Sequence, residues 1–142
     1  MKARAALFIA AALAGCAGTG IAVTGDGCLV SKCRVAGAAE GGISMAGNDC
    51  DLEKNRATLC ASFGFDLQGG QGTLTGNFAV RSGSEGGAGF QVDGAGNTLT
   101  GNVAVKCTSD GFSVDGDGNV LARDHASGCS DDGIDIEGGV GT

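Results

Sequence analysis

Asp131 and Asp132 are adjacent carboxylates, and paired carboxylates can divide acid and base work at a sugar acetal. Asp115, Asp117 and Asn119 alternate with Gly116 and Gly118, and alternating oxygen side chains open many calcium loops. A calcium loop of the helix-flanked kind needs glycine at its sixth position and glutamate at its twelfth. Val120 and Ala126 stand there instead, so Asp115 is expected to end a strand, Gly116 to Gly118 to make a turn and Asn119 to start the next rung. The chain has one histidine, His125, which is too few for an imidazole cluster that would hold zinc. No cofactor is expected, and calcium only as an adventitious occupant of an acidic face. The seven cysteines are the remaining reactive groups.

These residues are positioned by a repeat. Gly-apolar-x-apolar-x-Gly occurs at 20–25, 42–47, 64–69, 89–94, 111–116 and 133–138, with starts 22, 22, 25, 22 and 22 residues apart. Other positions keep step. Val30, Leu52, Leu74, Leu99 and Leu121 share one phase, as do Cys33, Asn55, Asn77, Asn102 and Asp124. Val35, Ala57, Ala79, Ala104 and Ala126 share another, and Ala38, Cys60, Ser82, Cys107 and Cys129 a fourth. Apolar residues alternate over short segments, which is strand periodicity, and Gly and Asn punctuate the turns. There are 29 glycines and no proline, with no Gly-X-Y period, so collagen is excluded. An apolar share of 42% excludes a disordered chain.

A 22-residue period with three short strands per turn, and the run from Asn97 to Ala104, is similar to the right-handed parallel β-helix of the pectate-lyase-like family. The resemblance spans residues 20 to 138. It implies an all-β, single-stranded parallel β-helix of about five to six coils, with the domain at 20–142. Like residues then stack about 4.8 Å apart. Asn55, Asn77 and Asn102 should bond one another and the turn backbone. The longer third repeat places a glycine-rich bulge near Gly83–Ala88.

Cys28 and Cys50 share a phase, as do Cys107 and Cys129, and stacking distance suits a disulfide, so both pairs are predicted to be bridged. Cys33 and Cys60 are predicted to be buried thiols.

Charge follows phase as well. Lys32, Arg34, Lys54, Arg56, Arg123 and His125 should project from one side, either as solvated surface charge or as a basic binding surface. Asp66, Asp93, Asp115, Asp135 and Glu137 should project from an outward acidic face, with Asp131 and Asp132 nearby. The net charge of −7 argues against nucleic acid as a partner. The basic side fits acidic polysaccharide or anionic lipid headgroups.

Asp131-Asp132-Gly133-Ile134 also resembles the paired-aspartate segment of polygalacturonases. The Asn-Thr-Asp, His-Gly and Arg-Ile-Lys segments of that family are not found. No catalytic residue is therefore assigned. The threonines of Thr73-Leu74-Thr75 and Thr98-Leu99-Thr100 resemble an ice-binding ladder, but over two coils only.

Lys2 and Arg4 precede an apolar run from Ala5 to Ala14, too short to span a bilayer. Leu13-Ala14-Gly15-Cys16 resembles the bacterial lipobox. The resemblance implies a signal peptide at 1–15, acylation of Cys16, a short linker at 16–19 and an outer-membrane lipoprotein, tied to the membrane by its lipid. A periplasmic or secreted protein is the alternative. A solenoid also has two open ends, so end-to-end self-association is a further expected contact. The leading functional reading is structural or surface-binding and non-catalytic. The alternative is a carbohydrate-active module that binds or cleaves acidic polysaccharide.

Overall fold

The computed structural model describes residues 11–138. Those residues fold into one parallel β-solenoid with three sheets and no helix. Each glycine motif supplies one strand of the first sheet, made of β2 (Ile21–Thr24), β5 (Ile43–Ala46), β8 (Phe65–Gln68), β11 (Phe90–Asp93), β14 (Phe112–Asp115) and β17 (Ile134–Glu137). The second sheet holds β3 (Leu29–Ser31), β6 (Asp51–Glu53), β9 (Thr73–Thr75), β12 (Thr98–Thr100) and β15 (Val120–Ala122). The third holds β1 (Ala12–Ala14), β4 (Arg34–Ala36), β7 (Arg56–Thr58), β10 (Phe78–Val80), β13 (Val103–Val105) and β16 (His125–Ser127). Every pairing is parallel and in the phase read from the repeat, as in Leu74 beside Leu99 and Ala79 beside Ala104.

The interior is built from ladders, because one coil cannot bury its own inner face. Phe65, Phe90 and Phe112 lie in one ladder with ring centroids 4.8 and 4.7 Å apart and rings nearly parallel. Leu52, Leu74 and Leu99 fill the side under the second sheet. The third sheet contributes alanine because the cross-section narrows there. A Cβ on Gly64 would meet the Ala79 Cβ at 2.8 Å, so a small residue faces a glycine across the corner.

Asparagine closes the bend between the second and third sheets. The Asn55 side chain accepts the Cys33 N–H at 2.9 Å and donates to the Val30 carbonyl and to Asn77. Asn77 and Asn102 repeat the pattern. Each amide thus satisfies backbone that the bend would otherwise leave buried and unpaired. The ladder stops at Asp124, which accepts from the Asn102 N–H and amide and offers no donor to a coil above.

The run expected as a leader enters the fold at its end. Ala12–Ala14 pairs with Arg34–Ala36, so strand structure begins before residue 20. Lys2, Arg4 and the run up to Ala10 lie outside the described residues, as does the end of the expected domain at 139–142. The bulge at 83–88 is a tight turn: Gly83 has φ +89°, and the Gly86 N–H bonds its carbonyl at 2.9 Å. No helix among the described residues is long and apolar enough to cross a membrane.

Candidate functional site

Strand alternation sends Arg34, Arg56, Phe78, Val103 and His125 outward from the third sheet as one ladder. Ala36, Thr58, Val80, Val105 and Ser127 form the second outward ladder. Two corner lines flank this face. On one, Lys32, Lys54 and Arg123 hold left-handed φ of 59°, 54° and 61° just before the asparagine ladder. On the other, Arg81 and Lys106 do so at 52° and 54°. The bend requires that backbone, and it turns long cationic side chains into solvent.

The chain has nine Lys and Arg, of which Lys2 and Arg4 precede the described residues. All the others stand on the third sheet or its two corner lines. No Asp or Glu lies on any of that sheet's six strands. The cations surround apolar surface. Phe78 is 37% exposed and Leu59, on a corner, 57%. The Arg56 guanidinium sits over the Phe78 ring, 5.5 Å from its centroid. The six residues expected as a basic side are all exposed here, with His125 on β16. Sequence reasoning missed Phe78, Arg81 and Lys106. The repeat phase carried the signal, because Arg81 and Lys106 stand at the corner position that Gly37 and Gly128 occupy in other coils.

Acidic residues line the first sheet and the turns beside it. Asp93, Asp115 and Glu137 are exposed and Asp135 half-buried. Asp66 departs from the expected solvated face. It projects outward, yet it is only 4% exposed among the neighbouring side chains of its ladder. Its Oδ2 accepts from Ser44 and Gln68 at 3.2 and 2.9 Å, and its Oδ1 has no partner. Burial raises its pKa above the ordinary carboxylate range, repulsion from Asp93 adds to this, and the two hydrogen bonds oppose it.

Asp131 and Asp132 are exposed and gather Asp110 from the coil below, with oxygens within 4.8 Å of one another. The Asp132 N–H bonds an Asp110 carboxylate oxygen at 2.9 Å. Asp110 was legible in principle, one repeat before Asp132. Asp115 ends β14 and is exposed, and Asp117 stands in the exposed turn that follows, where Asn119 donates to the carbonyls of Gly94 and Gly116.

The predicted bridges are not formed: Cys28, Cys50, Cys107 and Cys129 are free thiols. Register nevertheless stacks Cys28 beside Cys50 and Cys107 beside Cys129. The Cys50 thiol donates to the Gly25 carbonyl at 3.1 Å. Burial, with Cys129 alongside, pushes the Cys107 thiol up to about 11, so it stays protonated at neutral pH. Cys33 and Cys60 are buried. Cys16 is half-buried against the core, and its carbonyl accepts the Ala39 N–H at 2.8 Å.

A family model described as a right-handed beta helix region matches residues 3–142. No curated protein and no solved structure gives a match.

Proposed function

The chain belongs to the right-handed β-helix family, and from that premise we propose an exported, lipid-anchored solenoid with a structural or surface-binding, non-catalytic role, whose third sheet holds an anionic surface. The segregation of cations onto that sheet carries the reading. A rigid sheet fixes the charges at one spacing, so they act together on an extended anion rather than on a small one. The Leu13-Ala14-Gly15-Cys16 segment supports export to the outer membrane, with acylation at Cys16. Mass spectrometry of the mature N-terminus tests that step, and an unmodified Cys16 would remove it.

The surface-binding role is tested with soluble polygalacturonate and the full chain at low ionic strength. Binding should weaken with salt and with the paired substitution Arg34→Gln and Arg56→Gln. Absence of binding at low salt, with vesicles also unbound, would sink the reading.

A second reading, cleavage of acidic polysaccharide, draws on the approach of Asp110, Asp131 and Asp132. An assay for unsaturated uronate or new reducing ends separates the two. Product formation abolished by Asp131→Asn would favour the enzyme.

A further inference from the structure

We infer that the partner of the third sheet is an anionic lipid bilayer, with Phe78 and its valine neighbours entering the interface and the surrounding cations meeting the headgroups. This rests on reading that sheet as a binding surface, and it names the surface. Three observations separate a bilayer from a polysaccharide.

The first is the chemistry of the face. Its outward strand residues offer only Thr58, Ser127 and His125 as hydrogen-bonding groups besides the arginines, with no amide and no carboxylate among them. Sugar hydroxyls are recognised by acceptors and paired amides as well as by cations. Lipid phosphate needs cations alone.

The second is the apolar centre. Phe78, Val80, Val103 and Val105 are adjacent on β10 and β13 and each is at least partly exposed. Leu59 extends the patch to one corner at 57% exposure. A highly charged polysaccharide gains nothing from such a patch. An interface where apolar groups sink below a cationic rim uses both. The Arg56 guanidinium over Phe78 already shows the arrangement, with the ring beneath and the charge able to snorkel outward.

The third is shape and place. The face is a strip of six short parallel strands, about 24 Å long at the usual strand spacing. Its first strand, β1, runs directly into Gly15 and Cys16. Cleavage before an acylated Cys16 would remove β1 and leave the face as β4, β7, β10, β13 and β16, about 19 Å long at the same spacing. Cys16 would then stand at the corner beside the end of β4, so the tether would present the face to the bilayer at high local concentration.

The test uses the full chain made by cell-free synthesis, so that Cys16 carries no acyl group. Phosphatidylcholine vesicles are compared with vesicles that also contain phosphatidylglycerol, by co-sedimentation. The parent should pellet with the anionic vesicles and lose that binding in high salt. Combining Arg34→Gln, Arg56→Gln and Lys106→Asn should weaken it by about a hundredfold, at roughly fivefold for each charge near the surface. Phe78→Ala should weaken vesicle binding by about tenfold while leaving polygalacturonate binding as it was. Asp93→Asn, on the opposite chemistry, should change neither. Thermal melts establish that each variant is folded, and Val103→Thr repeats the apolar test if Phe78→Ala melts early. All variants share the N-terminal segment, so their differences report on the face. Vesicle affinity unchanged in the triple variant overturns the lipid assignment. So does binding to polygalacturonate that persists while anionic vesicles are ignored, which leaves the surface-binding reading standing with a polysaccharide as partner. If neither probe is held, both the assignment and that reading fail.

Discussion

The last coil repeats the pattern of the inner coils and keeps little of their burial. Phe90 and Ile134 occupy the same inward ladder, yet Phe90 is fully buried and Ile134 is 44% exposed. Val92 and Ile136 differ in the same way, with Ile136 at 59%. At the opposite end, Ile21, Val30 and Val35 are all buried. An inward position in a solenoid is thus only half of a core position. The other half is cover along the stack, which Phe90 gets from a ring on each side and Ile134 from Phe112 alone. Ile21 and Val30, first in their ladders among the described residues, are covered from outside those ladders. The same residue type in the same phase therefore contributes very different amounts of stability.

The largest effect should come from the middle of the phenylalanine stack. Phe90→Ala is expected to cost about 3–5 kcal/mol in urea unfolding, since it opens a cavity between two rings. Ile134→Ala, in the same ladder, should cost under about 1 kcal/mol. Equal costs would break the comparison and mean that the final coil is covered in solution.

A smaller effect is expected where the final coil can be tied down. Oxidised glutathione should take two electrons from Cys107 and Cys129, which lose two protons and form a bridge. Closing a loop of one coil is worth about 3 kcal/mol in the entropic account. Amide exchange in β17 should slow with it, read by mass spectrometry. Alkylation should meanwhile reach half-buried Cys129 sooner than buried Cys107, whose thiol titrates near 11. No change in β17 exchange after bridging would show that the last coil is already as firm as the others.

The smallest effect concerns Asp66, an outward residue buried in the middle of the stack. Its raised pKa means that the folded chain holds this proton to higher pH than the unfolded chain does. Its contribution therefore favours folding below the unfolded carboxylate range and is lost as pH rises through the raised value. Asp66→Asn should be more stable than the parent near neutral pH and converge with it in acid. Asp135→Asn, at the same ladder position in the last coil, should stay within about 0.5 kcal/mol of the parent. A parent that outlasts Asp66→Asn at neutral pH would mean that the orphaned Oδ1 finds a partner in solution.

The repeat made the fold legible because ladder formation depends on phase alone. Gly-apolar-x-apolar-x-Gly set the first sheet, and the Leu, Asn and Ala phases set the other two. What escaped depended on neighbours rather than phase. Asp66 reads as outward, but strand alternation says nothing of crowding by Ser44 and Gln68. Phe78 shares a phase with Arg34 and Arg56, so its ladder was legible, but the seat of the Arg56 guanidinium over its ring is not a matter of phase. Ala12-Leu13-Ala14 reads in the sequence as the end of a leader, and the same small apolar alternation satisfies a strand. Asp110 stands one repeat before Asp132, so its stacking was legible, and only the approach of Asp131 to the pair depends on the turn.

The first strand bears on the order of events in the maturation proposed above. Gly15 and Cys16 lie inside the ladder, with the Gly15 N–H on the Ala36 carbonyl at 2.9 Å. A peptidase needs its target extended and free of such bonds. A chain that completes its first coil has therefore hidden the bond before Cys16. If the chain is cleaved before Cys16 as proposed, cutting has to outrun folding, or one rung has to unravel first. Under that proposal, a rule of timing is written into the same few residues that form β1 and its corner.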